Sequence, residues 1–514
     1  MSEKSPGNSN TICKLIAAFI ALSSHLIMHQ IDVTSAHFSV AFKIPLNNIS
    51  IYFSKLFSFR CMLIAAGTAS ELVVSEMSKK IYPDGKQYIR KLVSMGSFIG
   101  VLILRVVFLF YLYKSSQLGY YVYVILSIEA FFFGYFHASI IGLVPEHSLV
   151  IAFSVNASRF FILFIQLILD YLLRKSPLLM IKFLVWIGVI MTGCAVVAWI
   201  YYNFSSCNTI SAVDIGFLEE CMKGSSESED NINIVVKEPD IAEIVVKEMG
   251  FGITFFRALS PFLMFFGGSM FKDFLFPGVL PYALVRRDRC HIINMLVPVA
   301  NILGPLVLFF VESFRSFQKW TPVFNSFWAL LILMILVGVS AFMAIHSRVR
   351  LFRSFINSAE QVSYSTLILV FCNGFMDPLS FAGVAKIVKR GFENETEHEI
   401  SNVAKNGSEG TNSGNTGYQN DGTNGPELKI TRVEGSNSLL TVHILSALFM
   451  RFVFSKLSVG YNETRVSLGY CLPKFRPNHR MSRRNTGWYI FRQTFIRAWK
   501  DTGSDFKLDV KKYL

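Results

Sequence analysis

The 514-residue chain reads as an all-helical, polytopic membrane protein of about eleven transmembrane helices, arranged as six and then five. Three observations predict this. Hydrophobic residues make up 52% and charged residues only 16%, against about a quarter charged in a soluble domain. A folded soluble chain keeps a large exposed surface and cannot bury so much apolar area. Eleven runs are long and apolar enough to cross a hydrocarbon core, which takes about 20 residues. Finally, the polar sequence is gathered into two long inserts and one C-terminal segment. The same composition excludes a disordered chain and a disulfide scaffold.

Taken in order, the first half holds spans at 12–33, 53–75, 91–114, 119–144, 148–173 and 177–203. Lys14 ahead of the first run imitates a secretory signal, but no small-residue cleavage site follows and the run continues toward Asp32. It reads as an uncleaved span, so 1–204 forms an N-terminal bundle. Residues 205–252 are a polar loop with ten Asp/Glu against three Lys/Arg. They contain a short tandem repeat, Ile234 to Glu238 and then Ile244 to Glu248. The second half, 253–457, holds spans at 253–281, 291–311, 320–346, 362–387 and 437–457. Its insert, 389–437, is rich in Asn, Gly, Glu, Ser and Thr and reads as disordered. Residues 458–514 form a basic tail with twelve Lys/Arg and four Asp/Glu. Trp488 to Phe491 and Arg492 to Trp499 fit a short amphipathic helix on anionic lipid.

The net charge of +14 does not indicate nucleic acid. The two inserts are acidic, and the basic excess is spread over the tail and short connectors rather than one face. The connectors split on orientation. Lys79, Lys80, Lys86 and Arg90 favour a cytoplasmic N-terminus, whereas Arg174, Lys175, Arg286, Arg287, Arg289, Arg348, Arg350 and Arg353 oppose it. Eight scattered cysteines without a CxxC pair give no metal site and no disulfide framework. Asn48-Ile49-Ser50 is a glycosylation sequon. There is no Gly-rich phosphate loop, nucleophile elbow or metal-ligand cluster, so catalysis, a cofactor and a metal are not expected.

Ionisable groups in hydrocarbon are costly and mark bundle interiors or water paths. His25, His29 and Asp32 share one face of the first span. Arg60 and Glu71 lie in the second span, Arg105 in the third, Glu129 and His137 in the fourth. Asn156, Ser158, Arg159, Gln166 and Asp170 lie in the fifth. Glu129 and Arg159 sit on consecutive spans and are placed to pair. Asp170, Lys272, Asp273, Lys386 and Arg451 read as groups snorkelling to the interface. Phe276-Pro277-Gly278-Val279-Leu280-Pro281 closes the seventh span, either as a plain helix end or as broken backbone against a cavity.

The order of these features resembles the equilibrative nucleoside transporters, which have six spans, a long polar loop and five more. Phe276-Pro277-Gly278 is similar to that family's Phe-Pro step at the end of span seven. Asn373-Gly374-Phe375, followed by Lys386, Lys389 and Arg390, is similar to its Asn-Gly-Tyr and basic exit in span ten. Gly134 to Pro145 is similar to its Gly-rich fourth span. Span eight departs: the family's Asn-x-x-Asp-x-x-Gly-Arg corresponds here to Pro298, Asn301, Gly304 and Pro305, with only the glycine kept.

The resemblance implies a two-bundle, major-facilitator-like fold and a facilitative carrier of nucleosides or nucleobases, working by alternating access. It also implies a cytoplasmic N-terminus and, for location, the plasma membrane. The candidate substrate path is His25, His29, Asp32, Glu129, Arg159, Asn301, Gly304, Asn373 and Gly374. Two alternatives stand beside it: a carrier of another small polar or anionic solute, in which Arg105 and Arg159 bind a carboxylate or phosphate, and, from the altered span eight, a transport-inactive multi-span protein.

Overall fold

A computed structural model describes residues 6–81, 88–114, 117–144, 147–173, 176–205, 245–248, 250–313, 320–389, 431–434, 438–472, 478 and 481–514. The first half is six long helices: α1 (Pro6–Ala41), α2 (Ile49–Ile81), α3 (Tyr88–Lys114), α4 (Leu118–Leu143), α5 (Ser148–Leu173) and α6 (Pro177–Phe204). The second half starts with a bent pair, α7 (Phe251–Arg257) and α8 (Leu259–Leu275), which meet at 63°. It continues with α9 (Arg287–Ser313), α10 (Ala329–His346), the single turn α11 (Arg350–Arg353), α12 (Ala359–Lys389) and α13 (Ser438–Ser467). A last helix, α14 (Arg483–Asp505), follows. Among the described residues ten helices are long and apolar enough to cross a membrane, and eleven if the bent pair is one span. The chain is therefore an integral, multi-pass membrane protein.

The helices outlast the apolar runs because polar and charged residues at their ends continue the helical backbone; α1 alone has 36 residues. Lipid-facing surfaces are apolar, as Phe160, Phe164 and Leu167 on α5 and Ile190 and Val197 on α6 show. Polar side chains point inward instead, because lipid drives no burial of apolar groups and close packing must hold the helices together. Glycines permit that packing. A Cβ on Gly67 would lie 2.1 Å from the Phe131 carbonyl, and one on Gly134 would lie 2.3 Å from that of Ile64. In the second half a Cβ on Gly304 would lie 2.3 Å from the Gly374 carbonyl. So the second and fourth spans of each half, α2 with α4 and α9 with α12, cross at small residues.

The halves meet where α1 and α5 face α9 and where α2 faces α13. The ends of α1 and α5 and the starts of α2, α4 and α9 share one face of the molecule. Tyr52 near the start of α2 donates to the Gly119 carbonyl at the start of α4, at 2.8 Å.

Several expectations are corrected. The seventh span is not a continuous helix over 253–281. It stops at Leu275, and residues 276–285 form buried turns whose backbone is satisfied internally, Val279 N–H to Leu275 O at 2.7 Å and Val285 N–H to Pro281 O at 3.1 Å. Such backbone is tolerated at membrane depth only when enclosed by protein.

Within 389–437, Thr431–Glu434 is not disordered but a strand, β2. It pairs in parallel with β1 (Val245–Glu248), Val245 opposite Thr431, so the second copy of the tandem repeat holds a ladder to the other insert. The first copy and most of 205–252 and 389–437 lie outside the described residues. Span eleven continues ten residues beyond 457, to Ser467, and the basic segment after it is largely helical. The scattered cysteines do include one in a disulfide, Cys13. The sequon is closed off, since Ser50 is buried and the Asn48 amide donates to the Tyr513 carbonyl at 3.2 Å.

Candidate functional site

A small cavity of about 50 Å³ lies between the halves, lined by Asp32 and Ser35 of α1, Phe57, Arg60 and Cys61 of α2, and Lys272, Phe276 and Pro277 at and just after the end of α8. A larger groove of about 980 Å³ runs along the second half beneath α14. Its walls are largely aromatic and aliphatic, including Phe271, Phe342, Tyr461, Ile490 and Phe491, and no carboxylate lines it. Opposite charges converge only on the smaller cavity, which makes it the candidate site.

Its charges come from both halves. Asp32 lies within electrostatic reach of Arg159, Lys272 and Arg60. Arg159 in turn feels Asp32, Arg451 and Asp377. Three of these cations have carboxylate partners. Lys272 pairs with Asp273 at 2.8 Å, Arg451 pairs with Asp377, and Arg60 pairs with Glu129 at 2.9 Å. Among the described residues neither Asp32 nor Arg159 forms an ion pair, so one carboxylate and one guanidinium remain available at the interface. Behind Ser35, Tyr282 and Asn294 complete a polar trio. Asn294 donates to Ser35 at 2.9 Å and to the Tyr282 hydroxyl at 2.8 Å, which also bonds Ser35.

The candidate residues separate into three places. Asp32 lines the cavity, with Arg159 near it. His25 and His29 continue the α1 stripe. His29 Nδ1 contacts Ser158 Oγ at 2.6 Å, and the His25 ring meets His137 edge-on at 5.1 Å. Glu129 is elsewhere: it is 1% exposed and pairs with Arg60 and with Arg105, the latter at 2.9 Å. The expected pairing of Glu129 with Arg159 is therefore replaced by an ion triad inside the first half. Arg105 completes it by donating to the Ser23 carbonyl and Thr192 Oγ1, at 3.2 and 2.6 Å.

Asn301, Gly304 and Gly374 lie in the α9–α12 seam. A Cβ on Gly374 would sit 3.0 Å from the Asn301 carbonyl. Asn373 is buried and turns toward Gly268 of α8. Lys272, Asp273 and Arg451 do not snorkel outward but gather, with Asp377, at the interface of the halves.

A second charged cluster escaped the sequence reading. On α14, Asp501 and Asp505 are one turn apart and both buried. Lys55 of α2 bonds Asp501 at 2.6 Å and Asp505 at 2.7 Å; Lys456 of α13 bonds Asp501 at 2.6 Å and also reaches Asp505. Burial alone would raise the Asp501 carboxyl, but Lys456 and Lys55 beside it hold it below the usual range. Burial, followed by the neighbouring Asp501, pushes Asp505 up despite the same two cations. An acidic i, i+4 pair in an otherwise basic segment, matched to lone lysines in two spans, was the available signal. The tail is thus docked. Ser482 caps α14, accepting from the Asn485 N–H at 3.4 Å, and Gly460 of α13 lets the two helices touch at Thr494.

No family model and no curated protein matches the sequence. Solved structures do match over nearly the whole chain. A D-xylose–proton symporter aligns with a TM-score of 0.51 at 9% identity, covering 95% of each chain. A proton-dependent oligopeptide transporter aligns at 0.47, 8% identity and 97% of each chain, and the nucleoside transporter NupG at 0.41, 10% identity, 96% of this chain and 99% of its own. At these identities the likeness concerns fold alone, and the first match carries it: the chain has a major-facilitator-type fold of two helical halves.

Proposed function

We propose that this protein is a facilitative solute carrier that works by alternating access, with nucleosides or nucleobases as its solutes. The observation that carries the carrier reading is a small cavity between two helical halves, lined by Asp32 and with Arg159 within its electrostatic reach, neither in an ion pair among the described residues. Small-molecule pockets enclose about 300–1,000 Å³, far above the 50 Å³ here. The halves must therefore part to admit a solute, which is the motion a two-bundle carrier uses. A carboxylate at such a cavity, with a guanidinium beside it, demands polar partners, because unpaired charge in a low dielectric is costly. The hydroxyls of a ribose and the ring nitrogens and exocyclic groups of a base satisfy both. Phe57 and Phe276 supply apolar walls. The choice of nucleosides over other polar solutes rests on the span-seven and span-ten motifs of the sequence.

In this reading the protein sits in the plasma membrane, and the exposed aromatic stripe of α14, Trp488, Phe491, Phe495 and Trp499, lies against lipid at the interface.

Uptake of radiolabelled adenosine and inosine by a transport-null host tests the proposal. We expect uptake above vector that Asp32→Asn and Arg159→Gln each reduce at least tenfold with surface expression unchanged. Full uptake by both variants would move the site elsewhere. Uptake of an organic anion but not of nucleosides would leave the carrier and change its solute.

A further inference from the structure

We propose that His37, Asp170 and His291 form a binding site for a first-row divalent transition metal ion of the Zn²⁺ class, placed so that the ion links the two halves. His37 is near the end of α1, Asp170 near the end of α5 and His291 near the start of α9, so the three meet on one face of the molecule. His37 Nε2 lies 3.1 Å from Asp170 Oδ1, His291 Nε2 lies 2.7 Å from Asp170 Oδ2, and the two Nε2 atoms are 3.3 Å apart. Metal-to-ligand distances near 2.0–2.1 Å in a tetrahedron place neighbouring ligand atoms about 3.3 Å apart. The two Nε2 atoms stand at that spacing, each imidazole faces its own oxygen of Asp170 at 3.1 and 2.7 Å, and one ligand atom from each residue falls within 4.8 Å of the others.

The chemistry favours an ion over a hydrogen-bonded trio. If each imidazole gives an N–H to its own carboxylate oxygen, two like donors stand 3.3 Å apart, edge to edge, with ring centroids at 4.2 Å. With the protons on Nδ1, two lone pairs and a carboxylate converge instead, which is the donor set Zn²⁺ takes with water in the fourth position; the cost is a buried His291 Nδ1–H without a protein partner among the described residues. The carboxylate is already held from behind: the Gln166 amide donates to Asp170 Oδ1 at 2.8 Å. Such supporting bonds orient metal ligands. The side chains are 18%, 25% and 18% exposed, so an ion can enter from water. His37 and Asp170 belong to the first half and His291 to the second, so a bound ion holds the halves together at this face. The site itself does not depend on what the protein carries.

Chelator-washed full-length protein in detergent, titrated with Co²⁺ and followed by visible absorption, tests it. The expected result is one Co²⁺ per chain with the intense d–d bands of a low-coordinate site, displaced by Zn²⁺. His291→Ala and Asp170→Asn abolish the bands, and Gln166→Ala weakens affinity about tenfold. His25→Ala, in the other histidine group, retains them. Wild-type protein without such bands, or bands that survive both His291→Ala and Asp170→Asn, would overturn the proposal. Because the readout is metal binding, a failure here is separate from a failure of solute uptake.

Discussion

Two buried charge clusters use similar chemistry for different ends. Arg60, Arg105 and Glu129 all belong to the first half, on α2, α3 and α4, with backbone carbonyls of α1 and Thr192 of α6 absorbing the second guanidinium, and only Arg60 reaches the cavity wall. Lys55, Lys456, Asp501 and Asp505 come from α2 in one half, α13 in the other and α14 across them. The first keeps its geometry however the halves move. The second is stretched by any motion that separates α2 from α13. Location relative to the interface, rather than burial or bond count, decides whether a charge cluster serves the fold or the movement.

The sharpest break of this comparison is Glu129→Ala. It leaves two buried guanidiniums without their carboxylate, and removing one member of a buried pair costs about 3–5 kcal/mol. We expect loss of monodisperse protein, or a large fall in the unfolding temperature by fluorescence-detected thermal denaturation. Glu129→Gln keeps an acceptor and should fall in between. If Glu129→Ala unfolds like the parent, the triad does not hold the first half together.

Neutralising the second cluster, Asp501→Asn with Asp505→Asn, should act on opening before it acts on folding. Cys61 is a buried free thiol in the cavity wall between the halves. Maleimide labelling of Cys61, read by peptide mass spectrometry, should rise several-fold in this double variant. It should stay at the parental level in folded Glu129→Gln. Equal labelling in both would erase the distinction between the clusters.

Much of this architecture was legible in the sequence, and the rest was hidden for physical reasons. Spans show because hydrocarbon demands about twenty apolar residues, and the positions of α3, α6 and α10 followed directly. The six-and-five order and the polar stripe through Asp32 were also visible. Partners were not. Arg60 and Glu129 are 69 positions apart, and whether Glu129 turns to Arg60 or to Arg159 depends on how α2 and α4 cross, which Gly67 and Gly134 set through close approach.

Lys272 and Arg451 were read as snorkelling because a cation near a helix end usually reaches water. Here the end of α8 faces the other half, and Arg451 lies mid-helix because α13 runs on to Ser467. The His37–Asp170–His291 group draws one residue from each of three helices, so no spacing in the sequence announces it. Gly304 and Gly374 looked like site residues because they match motifs, yet their missing side chains serve the α9–α12 crossing.

The smallest expected effect tests whether proximity to the second cluster is enough. Lys512 also belongs to the C-terminal segment and reaches Glu463 of α13 at 3.5 Å, but its side chain is 48% exposed. An exposed pair gains little from Coulomb attraction in water and loses side-chain entropy, so it contributes about 0–1 kcal/mol. Lys512→Ala should therefore leave the unfolding temperature within a degree or two of the parent and leave Cys61 labelling unchanged. Raising the salt concentration should abolish whatever difference remains, since exposed charges are screened over about 10 Å at 0.1 M. A several-fold rise in Cys61 labelling in Lys512→Ala would mean that any contact of the C-terminal segment with α13 restrains opening. The buried Lys55–Asp501–Asp505–Lys456 group would then lose its special standing.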